Sequence, residues 1–292
     1  MKIAIVTYQE LNVFKSDVPN EDEMLLNLFH HKGYSPSYTI WDDESVDWSQ
    51  YDALIIKSTW DYFFDKIDRF YQWLEHVQAL GIRCFNPPDL VRWNADKIYL
   101  KDIAEQGFRT VPTLYIDKDL VFEPSYYFDH FGTDRLIIKP RISGGAKNTI
   151  LVNADTPASG LKEINGLLKQ EHYMVQPFIA EIEQEGEWSM IFFGGKFSHH
   201  LLKVAKPGDF RVQHVYGGSI HKPALPENLL EQAEAIVKQF APDSLYARVD
   251  GVQVNGDLWL MELELIEPYL FFFTDKDSLE RYYSALQDKL NV

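Results

Sequence analysis

The sequence predicts an α/β unit followed by an α+β body built on largely antiparallel sheets. Three features predict it. Up to about residue 90, short apolar runs alternate with helical patterns, as βαβ units of a parallel sheet require. Beyond Asn94 strand patterns dominate, with helices only interposed. Finally, Asn255-Gly256 sits between two alternating strands, the usual signal of an antiparallel hairpin.

Taken in order, Lys2 to Tyr8 reads as a strand, Glu21 to Lys32 as a helix, and Tyr38 to Trp41 and Ala53 to Ser58 as strands. A helix over Ile67 to Leu80 follows. Ligands of such sheets sit beyond the carboxyl ends of the strands. That rule nominates Tyr8 and the run Ser58, Thr59, Trp60, Asp61 and Tyr62 as substrate contacts, the alternative being that Trp60 and Tyr62 merely cap the sheet edge. Asn86-Pro87-Pro88 is expected to form a turn that stops both helix and sheet. A short helix is then expected over Ala95 to Gln106, and strands over Leu136 to Pro140, Thr149 to Val152, Met174 to Ile179, Trp188 to Phe193, His200 to Val204, Tyr246 to Val254 and Trp259 to Ile266. Helices are expected at Ala158 to Lys169, Glu227 to Phe240 and Ser278 to Leu290.

Composition narrows the function. With 292 residues, 46% of them hydrophobic and 14% aromatic, the chain can build a large core in about two units and is not disordered. Against 28 Lys and Arg stand 44 Asp and Glu, a net charge of −16 that repels a duplex phosphate backbone. Nucleic acid is thereby excluded, while a nucleotide held by locally gathered cations or a divalent metal is not. A lone cysteine, Cys84, leaves no disulfide, multi-cysteine zinc site or CxxC pair and points to a reducing compartment. The first strand begins at Lys2 without a signal-peptide pattern, and no apolar run approaches the 18 or so residues of a membrane helix. The expectation is a soluble, cytoplasmic protein.

The most informative segment runs from Tyr246 to Ile266. Period-two alternation sets Glu262 and Glu264 on one face, with Trp259, Met261, Leu263 and Leu265 on the other. A strict two-residue turn pairs Val254 with Asp257 and puts Asp250 opposite Met261. A three-residue loop pairs Val254 with Leu258 and puts Asp250 opposite Glu262 and Arg248 opposite Glu264. The second register is favoured because it gathers the hairpin's charges on one face. Opposed carboxylates repel, so a cation belongs between them, and oxygen donors suit Mg²⁺ completed by substrate phosphates. The bland alternative is a solvated charged face.

Cations are gathered elsewhere. Lys139 closes a strand before the donor-rich loop Arg141 to Asn148, in which Gly144 and Gly145 allow backbone N–H groups near an anion. The loop is neither a Walker A motif nor a GxGxxG turn, and by itself it reads equally as an ordinary hairpin turn. Arg211 precedes a second glycine pair, Gly217 and Gly218. Lys97, Lys139, Lys203, Arg211 and Arg248 are read together as one cationic pocket facing the acidic hairpin. His199 and His200 point to opposite faces of a strand and read as packing residues, and no Ser-His-Asp order or nucleophile elbow is visible.

The order of these elements resembles the ATP-grasp ligases: Lys97, Lys139 before Ser143-Gly144-Gly145, Val175 to Ile179, Gly186 to Ser189, Arg211 with Gly217-Gly218, and Asp250 with Glu262-Leu263-Glu264. The runs Ser58 to Tyr62, Tyr246 to Asp250 and Leu260 to Pro268 are most similar to the glutathione-synthetase-like branch that contains cyclo-ligases of the O-ureido-serine type. The resemblance implies a Rossmann-like pre-ATP-grasp domain over 1–93, an ATP-grasp subdomain with the phosphate loop over 94–175, and a C-terminal subdomain with the metal hairpin over 176–292. It implies that Lys97 and Lys139 contact ATP phosphates beneath the loop of Ser143, Gly144 and Gly145. Gln176, Phe178 and Ile179 would read adenine, with Glu187 beside the ribose. Asp250, Glu262 and Glu264 would hold Mg²⁺, in two ions and replaceable by Mn²⁺; many members carry Asn where Glu264 stands. Arg211 and Arg248 would be catalytic, neutralising the transferring phosphoryl group. The implied activity is activation of a small-molecule carboxylate as an acyl phosphate and C–N bond formation with an amine, releasing ADP and phosphate. An intramolecular cyclo-ligase and a non-catalytic ATP-binding protein are the alternatives, and a homodimer is the superfamily's common state.

Overall fold

The structure, a computed structural model, describes residues 1–9, 18–213 and 216–291. Its first layer is a parallel sheet of β1 (Lys2–Thr7), β2 (Ser35–Ile40), β3 (Ala53–Ser58) and β4 (Arg83–Phe85) in the order β2-β1-β3-β4. Every residue of β3 is buried, as a central parallel strand covered on both faces must be. Helix α1 (Glu21–His31) starts where Asn20 accepts the Glu23 N–H, with acidic residues in its first turn and His30 and His31 in its last. Helix α2 (Ile67–Ala79) crosses from β3 to β4.

At Asn86-Pro87-Pro88 the expected stop is in fact a start. Pro88 opens helix α3 (Pro88–Ala95), because the first helical position needs no N–H and proline's fixed φ already suits a helix. The helix expected from Ala95 is accordingly displaced, and α4 runs from Tyr99 to Glu105. Between them Asp96 is extended and its carboxylate caps the Ile98 N–H at 3.0 Å, so Lys97 sits in a break rather than at a helix head.

The second sheet is antiparallel, in the order β5-β8-β6-β7, from β5 (Leu114–Ile116), β6 (Arg135–Pro140), β7 (Ile150–Asn153) and β8 (Tyr173–Pro177). Helices α5 (Pro124–Phe131) and α6 (Ala158–Leu167) accompany it, and α7 (Glu181–Gln184) leads to the third sheet. That sheet is antiparallel in the order β11-β10-β9-β12-β13, from β9 (Glu187–Phe193), β10 (Lys196–Val204), β11 (Ser219–His221), β12 (Tyr246–Val254) and β13 (Asp257–Glu264). Helix α8 (Glu227–Phe240) packs on β12 and β13, and α9 (Ser278–Leu290) on β9 and β10.

The first and third sheets share a core. Ile3, Ile5 and Ile55 meet Phe193, Tyr246, Tyr282 and Leu286 in one buried cluster. Polar bridges fix this junction. Buried Asn86 donates to the Tyr246 and Leu265 carbonyls at 2.8 Å each and accepts the Leu245 N–H at 2.6 Å. The buried Lys57–Glu21 pair, 3.1 Å apart, also ties the parallel sheet to the 268–272 segment, through the Pro268 carbonyl and the Leu270 and Phe272 N–H groups. No helix among the described residues is long and apolar enough to cross a membrane.

Candidate active site

The hairpin β12–β13 resolves the two registers by using both. Its turn is the two-residue one, with Val254 opposite Asp257, yet Asp250 faces Glu262 and Arg248 faces Glu264. A bulge between Asp250 and Gly251 supplies the missing residue. It also corrects the expected faces. Leu258, Leu260, Leu263 and Leu265 share one core. Trp259 and Met261 instead pack with Val252 and Val254 on the other side, the side of Glu262 and Glu264, because the extra residue resets the alternation.

On this face Arg248 stands between Asp250 and Glu264. Arg248 Nε lies 3.0 Å from Asp250 Oδ2, and its terminal nitrogen pairs with both Asp250 and Glu264. Lys203 reaches Glu187 at 2.5 Å and Asp250 at 3.4 Å, and the Ser189 hydroxyl also donates to Asp250. Glu187, Lys203, Asp250, Arg248 and Glu264 thus form one chain of alternating charge. Burial works against the Asp250 carboxylate, but Arg248 and Lys203 prevail and hold it well below the usual range. Lys97 pairs with Glu262 at 2.9 Å and donates to the Ser143 carbonyl at 2.5 Å. Lys139 makes no ion pair or side-chain hydrogen bond among the described residues, and burial lowers its pKa.

The loop after β6 is shaped for close approach. Gly145, Ala146 and Asn148 all have positive φ, and a Cβ on Gly144 would meet the Phe63 ring at 2.7 Å. At the stretch expected to read adenine, Phe178 N–H is already taken by the Arg135 carbonyl at 2.9 Å, and the Gln176 side chain donates to Thr113 at 2.9 Å. Arg211 turns to Asp209, at 2.9 Å and 3.0 Å, and lies over the Tyr216 ring.

A cavity of about 1230 Å³ collects these residues where the three sheets meet. Lys97, Lys139, Ser143, Gly144, Gly145, Gln176, Phe178, Ile179, Glu187, Arg211, Arg248, Asp250, Glu262 and Glu264 all line it, as do Tyr8, Ser58, Trp60 and Tyr62 from the parallel sheet. Four of the nominated residues do not. Thr59 and Asp61 are fully buried behind the wall, Asp61 accepting from Trp41 Nε1 at 2.6 Å and pairing with Lys66 at 2.5 Å. Gly217 and Gly218 lie off the cavity, and Gly218 is needed because a Cβ there would strike the Val212 carbonyl at 2.1 Å. The residues from 206 to 218 include His214 and Val215, which lie outside the described residues. Sequence reasoning missed three lining carboxylates, Glu21, Asp22 and Glu267. Asp22 follows the Asn20 cap and Glu267 follows the Glu262-Leu263-Glu264 run, so both carried a positional signal.

Comparison with known proteins decides among the functions such a cavity permits. The family model for the ATP-grasp domain of prokaryotic glutathione synthetase matches residues 115–270, more than half of the 292. The chain belongs to this ATP-grasp family. Residues 3–86 match the N-terminal domain of D-cycloserine synthetase DcsG. The cycloserine biosynthesis protein DcsG of Streptomyces lavendulae is 25% identical over 285 residues, spanning 91% of this chain and 92% of that protein. The crystal structure of D-cycloserine synthetase DcsG aligns with a TM-score of 0.80 at 25% identity, over 99% of this chain and 100% of that one. A D-alanine–D-alanine ligase from Bacillus anthracis complexed with ATP aligns with a TM-score of 0.70 at 16% identity, over 99% and 97%, a likeness of fold alone. The protein is an ATP-grasp ligase of the ADP-forming type, which uses ATP to make an amide-type bond to a small-molecule carboxylate.

ATP-grasp ligases typically use Mg²⁺, and the donor set of this ligase fits it. Glu262 and Glu264 face the cavity with side chains 29% and 26% exposed. Burial is the main cause that pushes the Glu264 carboxyl up, with Asp250 and Glu262 adding to the rise and Arg248 opposing it. All the donors are oxygens, as a hard divalent ion prefers. Among the described residues no three Asp, Glu, His or Cys side chains converge to hold an ion by themselves. Such a face supplies part of a coordination shell and leaves the rest to phosphate and water.

Proposed function

We propose that this ligase activates the carboxylate of a small amino-acid-like substrate as an acyl phosphate and closes a ring with a nitrogen of the same molecule. The observation that carries the ring-closing reading is the N-terminal match. The first sheet supplies the wall of Tyr8, Ser58, Trp60 and Tyr62, and residues 3–86, which contain that wall, match the N-terminal domain of D-cycloserine synthetase.

In this reading Lys97 and Lys139 hold the ATP phosphates, and Lys139 is suited to it because no protein anion is paired with it. The Ser143–Gly145 backbone covers the phosphates, anchored through the Ser143 carbonyl to Lys97. Gln176, Phe178 and Ile179 border the adenine, with Ile179 offering the backbone N–H because that of Phe178 is engaged. Glu187 stands beside the ribose, held by Lys203. Asp250, Glu262 and Glu264 would hold two Mg²⁺ ions, which when bound neutralise phosphate charge. Arg248, held between Asp250 and Glu264, and Arg211, which lines the same cavity, would neutralise the transferring phosphoryl group. Phosphoryl transfer requires positioning and charge neutralisation more than a protein nucleophile, which agrees with the absence of a catalytic triad among these side chains.

The test is a panel of D- and L-amino acids, including O-ureido-D-serine, scored for ADP, AMP and phosphate and for the mass of the organic product. One substrate that alone supports stoichiometric ADP and phosphate release, with one copy of it in the product, is expected. A strict need for a second amine contradicts ring closure, and AMP release contradicts the acyl phosphate.

A further inference from the structure

One carboxylate at the seam of the cavity is left without a use by the phosphate chemistry. Glu21, Glu187, Asp250, Glu262 and Glu264 each have a lysine or arginine partner. Among the described residues lining the cavity, only the carboxylates of Asp22 and Glu267 do not. Asp22 is answered by two hydroxyls, Ser58 Oγ at 2.7 Å and Thr7 Oγ1 at 3.5 Å, at the carboxyl ends of β1 and β3. Glu267 has a different setting. Its Oε1 accepts the Tyr62 hydroxyl at 3.2 Å and its carbonyl accepts Trp60 Nε1 at 2.9 Å, so it is pinned to the substrate wall by side chain and backbone alike. It also follows Glu264 by three residues, and Lys97, Arg248 and Glu262 all act on it electrostatically. A part-buried carboxylate whose one side-chain donor among the described residues is a phenol keeps acceptor capacity for whatever fills the cavity.

We propose that Glu267 faces the attacking nitrogen and takes its proton when the acyl phosphate is consumed. The nitrogen lone pair attacks the carbonyl carbon and the C–N bond forms. The C–O bond to phosphate breaks, the electron pair leaves with phosphate, and the N–H proton passes to Glu267 Oε2. Tyr62 is the positioning residue, since its hydroxyl holds Oε1 and leaves Oε2 without a hydrogen bond among the described residues, on a side chain that lines the cavity. Burial pushes the Glu267 carboxyl up to about 7, with Lys97 and Tyr62 pulling it down, Glu262 adding to the rise and Arg248 opposing it. A proton acceptor works best with an affinity near the working pH.

This inference rests on the ligase reading, and hydroxylamine separates the two. Hydroxylamine is uncharged at neutral pH and captures acyl phosphates as hydroxamates without a base. With an acid accepted from the panel, Glu267→Gln is expected to form hydroxamate within about twofold of the wild-type rate. Coupling of the natural nitrogen is expected to fall about 10²- to 10³-fold. Tyr62→Phe should lower the ratio of coupling to hydroxamate formation about tenfold, which decides the matter even if Glu267→Gln fails to fold. Equal loss of hydroxamate formation would place Glu267 in the phosphate half of the reaction, and loss of neither would make it part of the wall; both overturn the proposal. Wild-type protein that forms hydroxamate from no acid overturns the ligase reading itself.

Discussion

At the scale of single residues, the site is a set of carboxylates with unequal surroundings, and variants should separate them. Glu262 meets only Lys97 and the cavity, whereas Asp250 holds Arg248, Lys203 and Ser189 in a buried chain. Glu262→Gln is expected to abolish ATP turnover and to lower the melting temperature less than Asp250→Asn does, since the one buried cation it leaves, Lys97, keeps the Ser143 carbonyl. Asp250→Asn should abolish turnover and also cost about 3 kcal/mol of stability, because it leaves buried cations under-compensated; equal melting temperatures for the two variants would contradict this. His199 gives a pH prediction. Its Nε2 donates to the Leu270 carbonyl at 2.8 Å, and burial lowers its pKa from 6.5 to about 4. The unfolded chain therefore binds a proton below about pH 6.5 that the folded chain refuses until about pH 4. Stability from this group is complete above that window and is lost as pH falls through it, by about 2 kcal/mol between pH 7 and pH 5. Urea midpoints at the two pH values, with His199→Gln as the variant lacking the dependence, provide the check. The charged motif residues were legible in the sequence because Lys139, Asp250, Glu262 and Glu264 each interrupt an apolar pattern. Thr59 and Asp61 were not, since alternation past the end of a strand does not say whether a polar side chain faces the cavity or the layer behind it.

At the scale of elements, the hairpin shows what a periodic reading omits. Charge segregation gave the right partners for Arg248 and Asp250, and the Asn255-Gly256 turn gave the right partner for Val254; only a bulge reconciles them. Nothing in a strict period of two announces an inserted residue, although Gly251 beside it was a hint. A Cβ there would meet Leu258 Cδ1 at 2.6 Å and the Trp259 carbonyl at 2.7 Å. Gly251→Ala is therefore expected to destabilise the protein by roughly 1–3 kcal/mol and to reduce ligation more than tenfold by displacing Asp250 from Glu262. Full activity in a variant of unchanged melting temperature would show that the register tolerates the shift. The three-residue strands β4, β5 and β11 escaped sequence reasoning because they are too short to display a period. Pro88 misled because proline ends most elements but begins helices.

At the scale of the whole molecule, function depends on three sheets being held around one cavity. The parallel and hairpin sheets are locked by a shared core and by the Asn86 and Lys57–Glu21 bridges. These long-range pairings were invisible in the sequence, which did not bring α9 and the 268–272 segment against the parallel sheet. We propose a division of the chain into units over 1–93, 94–175 and 176–292; α3 and β8 straddle the two cuts, so the units are continuous across them. The measurement that tests the central claim most directly is oxygen transfer during turnover. With the substrate carboxylate labelled in both oxygens with ¹⁸O, an acyl phosphate requires one labelled oxygen in each released phosphate and none in ADP. Unlabelled phosphate, or label appearing in AMP, would contradict the account.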